Sequence, residues 1–377
     1  MSNTICLGAS TLYYPQGGGH MWVFLNWALG LQALGCKVIW LEKVNPGKNK
    51  SKNDLTDYFL QLKERLAPFG LENSIALLSE EDELSFELQT QCIDMEKAYQ
   101  SDLLINLCYD LPAKALAKFK KTALIDIDPG LLQFFLGNRV LNIAPHDIYF
   151  TIGETVGHPS ARFPSAGIKW HYTPPCVAID WWTPAMCPET SPFTTVSHWN
   201  NNEYILEKDG SYYSNDKRDG FLPFLDLPSK TSQSLELALC LGNDLSEEKM
   251  LRSKGWKIKD ANVVTNSPQA YQDYIKNSKG EFSCVKPHCI RLKNAWISDR
   301  TLCYLASGKP AVVQHTGPSR FLPDAAGLFR FEDMKGAIES LEKVAGDYDN
   351  QSRMARSLAE EFFDAKKILR SVVERAL

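Results

Sequence analysis

Short apolar runs of strand length recur along this chain, each closed by a glycine or an acidic residue and followed by a segment of helical period. The first forty residues contain one complete unit. "TICLGAS" is a buried-strand run, "TLYYPQGGG" is a loop punctuated by proline and glycine, and Met21, Phe24, Leu25, Ala28, Leu31 and Leu34 recur at helical spacing before a second run, "KVIWLE". That order is the βαβ unit of a parallel, doubly wound sheet, and such sheets bind ligands beyond the carboxyl ends of their strands. The pattern returns in "DLLINLCYD", "TALIDID" and "DIYFTIGE", which places Asp110, Asp126, Asp128 and Glu154 at the same edge as "QGGGH".

Near the middle, the proline-rich "HYTPPCVAIDWWTPAMCPETSP" has no helical period and reads as a crossing between domains. The α/β rhythm then restarts. "FTTVSHW", "LELALCLG" and "GEFSCVK" are strand-like, "SEEKMLRSKGW" reads as a helix capped by its serine, and "SPQAYQDYIKNS" opens on Ser-Pro as helices do. With 377 residues there is length for two cores. The expected division is an N-terminal domain over 1–175, a C-terminal domain over 176–352 and a closing helical segment over 353–377. The acidic "LLSEEDELSFELQ" reads as a solvated loop and helix face.

Charge and cysteine usage exclude several classes. A net charge of −4 argues against a dedicated nucleic-acid binder, although a local basic groove would still admit nucleic acid as a substrate. The ten cysteines are scattered singly with no C-x-x-C pair, so they read as reduced and structural. His288 with Cys284 and Cys289 in "CVKPHC" has no second Cys/His pair at ligand spacing, and no metal site is expected. Neither a basic-then-apolar leader nor an uninterrupted apolar run of spanning length occurs, which makes the cytoplasm the default and a membrane span unexpected. "GGGH" lacks G-x-G-x-x-G spacing, which argues against a dehydrogenase. His146, His158, His171 and His198 read as structural, and the aromatics of "DWW", Trp199 and Tyr204 read as packing or as a stacking surface for a sugar or aromatic acceptor.

The densest signal lies in residues 294–331, "NAWISDRTLCYLASGKPAVVQHTGPSRFLPDAAGLFRF". Ser298 is placed to cap a helix through "RTLCYLASG", Gly308 to end it in a left-handed turn, and "PAVVQ" to form the next strand. A helix start favours anions. Arg300 adds a guanidinium suited to bidentate phosphate contact, Asp299 can accept from sugar hydroxyls, and Thr316 and Gly317 of "HTG" offer further donors. The same residues also read as a local ion pair and a helix cap.

This segment, continued to the C-terminus and preceded by "GEFSCVK", resembles the nucleotide-sugar domain of GT-B glycosyltransferases of the bacterial family 1 or group 1 kind, whose pattern runs W-F/I-S-D-R…Y-L-A-S-G-K/R-P-V-V-Q-D-T-G…L-P…G-L-F-x-F. The resemblance implies an α/β GT-B fold of two Rossmann-like doubly wound domains facing across a cleft, with the last helix, about 353–374, crossing back to the N-terminal domain. It implies a glycosyltransferase that moves a sugar from a nucleoside diphosphate sugar to an acceptor hydroxyl, with no cofactor. Two positions depart from it. His315 stands where the pattern has Asp, and Cys303 and Ala295 stand at the glutamate positions of the retaining Glu-x7-Glu motif, so inversion is expected.

The N-terminal half is similar to the plant-type UDP-glycosyltransferases, whose Q-G-H loop carries a catalytic base sixteen residues ahead of a G-H-x-V turn. Gly35, Cys36, Lys37 and Val38 keep that register with His20. By this resemblance His20 is the base, oriented by Asp110, with Asp128 and Glu154 as acceptor-side substitutes. A near-neutral histidine held by a carboxylate suits deprotonation of a hydroxyl. Gly18 and Gly19, with Lys286, Arg291, Ser298, Asp299, Arg300, Thr316 and Gly317, form the expected donor set, and no divalent metal is then required. In the competing reading the glycines approach the phosphates while His20 caps the helix or binds the sugar. A transferase acting on modified DNA bases and a non-catalytic nucleotide-sugar-binding protein are the alternatives.

Overall fold

The computed structural model describes residues 3–45, 54–80, 84–202, 204–206, 210, 212–242, 244–324 and 326–377. Residues 81–83 of the acidic stretch lie outside them. The chain divides into two compact units. The first takes the chain up to Ile152 together with Pro164–Ala178 and Asp364–Leu377, and the second takes Gly153–Phe163 and Ile179–Phe363. The crossing therefore falls at Ala178 and Ile179, and the segment Gly153–Phe163 joins the second unit, which no local signal marked.

The first unit holds β1 (Thr4–Ala9), β2 (Lys37–Lys43), β3 (Ile75–Leu78), β4 (Leu103–Asn106), β5 (Thr122–Asp126), β6 (Ile148–Thr151) and β7 (Trp170–Tyr172). They form one sheet in the order β3-β2-β1-β4-β5-β6-β7, every pair parallel. Strands covered on both faces have to be apolar throughout, and β1, β4 and β5 are buried almost without a break. The helix Gly18–Ala33 is buried on nearly every side because a second helix, Ala365–Ala376, packs over it, with Ala365 and Leu369 directly against Gly30.

The second unit begins with β8 (Phe193–His198) and a two-stranded antiparallel hairpin of β9 (Tyr204–Leu206) and β10 (Tyr212–Ser214). Then follow β11 (Leu235–Cys240), β12 (Lys257–Asp260), β13 (Gly280–Ser283), β14 (Ala311–Gln314) and β15 (Leu328–Phe331). The sheet order is β12-β11-β8-β13-β14-β15, again all parallel. Counted along the chain, the first six strands of one sheet and the six of the other share the order 3-2-1-4-5-6, the doubly wound arrangement whose ligand crevice lies where the order reverses. That switch point is between β1 and β4 in the first unit and between β8 and β13 in the second. The second core is aromatic, with Phe282 and Phe331 stacked at 5.3 Å among Phe193, Trp199, Phe221, Phe224 and Trp256.

Ser267 and Ser298 cap their helices as expected, accepting from Ala270 N at 3.1 Å and Arg300 N at 3.3 Å, and Gly308 turns at φ +67°. Ser246 is not the cap of its helix: Asp244 accepts from Glu247 N at 3.0 Å, and Ser246 donates to that carboxylate. The single terminal helix expected over 353–374 is two helices, Tyr348–Phe362 in the second unit and Ala365–Ala376 in the first. Asp364 breaks it by taking Lys366 N at 2.9 Å as a new N-cap, while Ala365 N donates to the Val177 carbonyl at 3.0 Å. All ten cysteines are free thiols, and no helix among the described residues is long and apolar enough to cross a membrane.

Candidate functional site

At the first switch point the chain leaves β1 through a loop that one buried carboxylate organises. Glu42, near the end of β2, is 1% exposed, and it accepts from the N–H groups of Thr11 at 2.9 Å and Leu12 at 3.1 Å, from the Thr11 hydroxyl and from the Trp40 indole at 2.8 Å. Burial pushes its pKa up, and those four donors pull it part of the way back. Further along the loop the Tyr14 ring lies so close to Gly17 that a Cβ there would fall 2.1 Å from a ring carbon. Gly18 and Gly19 then open the helix, where N–H groups have no intrahelical acceptor.

His20 is the third residue of that helix, its ring 5.8 Å from Tyr14 and 5.4 Å from Phe24 between centroids. Its Nε2 lies 2.6 Å from the Ser10 carbonyl oxygen. A carbonyl only accepts, so Nε2 carries the hydrogen and a neutral ring keeps its lone pair on Nδ1. The expected hydrogen-bonded pair of His20 with Asp110 is not formed among the described residues. β4 ends at Asn106, and Asp110 lies out at the surface with 65% of its side chain exposed, held by Lys43 at 3.4 Å. The main chain, not a carboxylate, orients this imidazole.

At the end of β5 the buried carboxyl is Asp126, which accepts from Gln133 at 2.6 Å, Thr151 at 2.7 Å and Asp128 N at 3.0 Å. Burial pushes it up to about 7. Asp128 itself is exposed.

The second switch point holds buried charge. Arg300, expected to meet phosphate, gives Nε to Glu281 at 2.7 Å, Nη2 to Ser283 Oγ at 2.7 Å and Nη1 to the Val196 carbonyl at 3.0 Å, with 12% of its side chain exposed. The guanidinium is thus held by protein groups: Glu281 sits in mid-strand with none of its side chain exposed, and a charge buried there demands an opposite one. Burial alone would lower the Arg300 pKa, but Glu281 more than offsets it and keeps the guanidinium charged.

A second cation shares the Ser283 hydroxyl. Lys217 opens the short helix Lys217–Phe221, is 6% exposed, and places Nζ 3.4 Å from Ser283 Oγ and 6.0 Å from the Phe221 ring centre. The helix comes this close because residue 220 is glycine, where a Cβ would stand 1.9 Å from the Val285 carbonyl oxygen. Burial, then the charge of Arg300, lowers the Lys217 pKa to about 7. Sequence reasoning missed it, since a lysine in "SNDKRDGF" looks like surface.

Several expected donor groups are engaged elsewhere. The Thr316 hydroxyl donates to the Trp296 carbonyl at 2.6 Å, and Gly317 N donates to His315 Nδ1 at 3.1 Å. Both belong to the turn after β14. Arg291 lies 4.1 Å over the Tyr213 ring, and Lys286 stands at the N-cap position of the helix Pro287–Leu292. Burial raises the Asp299 carboxyl at its helix start. Glu154 is 5% exposed, accepts from Arg320 N at 2.7 Å and from the Ser319 hydroxyl, and its carbonyl accepts from the Arg320 guanidinium at 2.6 Å. Thus Glu154 anchors the loop after β14 and is not an open carboxylate. His288 is buried, with Nδ1 2.7 Å from Asn215 and a pKa lowered by burial to about 3. Trp182 and Trp199 are buried, whereas Trp181 and Tyr204 reach the surface.

Two Rossmann-like units, each with a furnished switch point, define the GT-B architecture. No family model and no curated protein sequence matches the chain. Solved structures do. An alpha-glucosyltransferase in complex with UDP-glucose and DNA containing an abasic site has a TM-score of 0.62 at 13% identity, covering 100% of both chains. HepE of Anabaena, in complex with UDP and glucose, has a TM-score of 0.55 at 13% identity over 100% of this chain and 99% of its own. Sucrose-phosphate synthase from Thermosynechococcus elongatus gives 0.55 at 9% identity over 100% and 98%. At such identities the likeness is one of fold, and the fold is GT-B.

Proposed function

We propose that this chain is a glycosyltransferase that moves a sugar from a nucleoside diphosphate sugar, of the UDP kind, to an acceptor hydroxyl, with inversion and without a metal ion. The observation that carries this reading is Lys217. It is a buried amine at the ligand edge of a doubly wound sheet, it holds one long hydrogen bond, and burial and the Arg300 guanidinium lower its pKa while Cys284, Cys289 and Glu281 oppose them. With Lys217 protonated, it and Arg300 against Glu281 leave a local surplus of positive charge that the oxygens of a diphosphate match. As the bond to the anomeric carbon breaks, the charge appearing on the leaving phosphate is met by protein groups already in place.

The acceptor side belongs to His20. With Nε2–H given to Ser10, Nδ1 is the basic nitrogen, and it takes the proton of the hydroxyl whose oxygen attacks the anomeric carbon. Four of the similar structures carry DNA, which brings a DNA base forward as acceptor, but the net charge of −4 favours a smaller or neutral one.

The test is a melting-temperature screen against nucleotide sugars, followed by transfer assays and NMR of the product anomer. A ligand that binds only the folded chain raises the melting temperature. Stabilisation by UDP-sugars with an inverted product supports the reading. Stabilisation with no transfer to any hydroxyl makes the chain a binding protein, and a retained anomer removes His20 from the base role.

A further inference from the structure

Lys309 lies in the turn "SGKP" between the helix Asp299–Ala306 and β14, where the donor chemistry makes no use of it. It is a lysine with none of its surface exposed. Its backbone N–H donates to the Tyr304 carbonyl at 2.9 Å, and its Nζ finds no hydrogen-bond partner of normal geometry. An amine buried so cannot keep its proton cheaply, and burial lowers its pKa. The Cys187 thiol opposes that lowering in part.

Independent contacts bring the two segments together. Ala185 N donates to the Ser307 carbonyl at 3.2 Å, and Pro184 lies 3.6 Å from where a Cβ of Gly308 would be. Two residues on, Cys187 Sγ is 3.4 Å from the Tyr348 hydroxyl, which itself donates to the Lys279 carbonyl at 2.7 Å. Cys187 is half-buried, while Lys309 is closed off from solvent.

We propose that Cys187 and Lys309 form an oxidation-sensitive cross-link, in which the buried amine captures the oxidised thiol. Hydrogen peroxide, the oxidant, takes Cys–SH to Cys–SOH and water. The Nζ lone pair then attacks sulfur, an S–N bond forms, the S–O bond breaks, and the hydroxyl leaves with an amine proton as a second water. The product is a sulfenamide with two hydrogens fewer than the reduced pair. A thiol reductant attacks the same sulfur and restores both side chains. The link ties the segment that enters β8 to the turn that enters β14, which restricts the unfolded chain.

The test maps peptides of the full chain after peroxide treatment and alkylation. The expected product joins the Cys187 and Lys309 peptides, is about 2 Da lighter than their sum, disappears with dithiothreitol, and is absent from Cys187→Ser and Lys309→Met. Oxidation should also raise the melting temperature of the parent but not of either variant. Should Lys309→Met fail to fold, the mapping of the parent and of Cys187→Ser decides. Cys187 recovered as a dimedone-reactive sulfenic acid or as an intermolecular disulfide, with the Lys309 peptide unchanged, overturns the proposal.

Discussion

At its switch point the first sheet presents three glycines, an imidazole and main-chain groups, and its buried carboxylate, Glu42, is used up in holding that loop. The second sheet has the same strand order but fills its switch point with Lys217, Glu281 and Arg300, all largely buried. The difference teaches what each edge is built to meet. A glycine loop lets a ligand approach backbone, and an imidazole with one nitrogen committed is a proton acceptor. A buried lysine beside a paired guanidinium and carboxylate suits an anion under the proposed reading, because charge is far more strongly felt in such a setting than in water.

The largest effect that would break this comparison is on stability. Arg300→Met should cost about 3–5 kcal/mol, since it leaves Glu281 buried and unpaired. Urea melts measure it. A loss under about 1 kcal/mol would mean that the pair is not the keystone of the second edge and that Arg300 is available to ligands after all.

The next is kinetic. His20→Ala should lower single-turnover transfer by about 10²–10⁴-fold with donor dissociation constants nearly unchanged, the mark of a group that acts on the acceptor proton. Weakened donor binding with normal turnover would turn the first edge into a phosphate cradle, and the contrast between the edges would vanish.

A pH series sharpens the second edge. The folded-state pKa of Lys217 is depressed from the usual 10.5 to about 7, so the free protein loses this charge as pH rises through about 7, while the unfolded chain keeps it. Stability therefore gains from this group as pH climbs above 7, and under the proposed reading UDP binding, which would need the ammonium, should take up a proton and weaken over the same range. Affinity should fall about tenfold over a pH unit or two above 7, and Lys217→Met should bind weakly with a flat profile. Isothermal titration in buffers of different ionisation heats reads both the affinity and the proton uptake.

The smallest expected effect belongs to Asp110→Asn. An exposed carboxylate paired only with Lys43 is worth under about 0.5 kcal/mol, and turnover should stay within about twofold. A hundredfold loss in turnover would restore the carboxylate-oriented histidine of the sequence reading.

Periodicity and punctuation determined the architecture from the sequence alone. Apolar runs closed by glycine or acid marked the strands, and Ser267, Ser298 and Gly308 marked helix ends. These are local properties, written within a turn or two of chain. Tertiary structure alone decided the fate of the charges. Arg300 is spent on a carbonyl 104 residues away and on a carboxylate of the neighbouring strand, Lys217 meets a hydroxyl 66 residues away, and Glu154 ties down a loop 165 residues downstream. A charged side chain looks the same in sequence whether solvent or another buried charge surrounds it, and only the packing of β8 beside β13 determines which groups lose their water and must find one another.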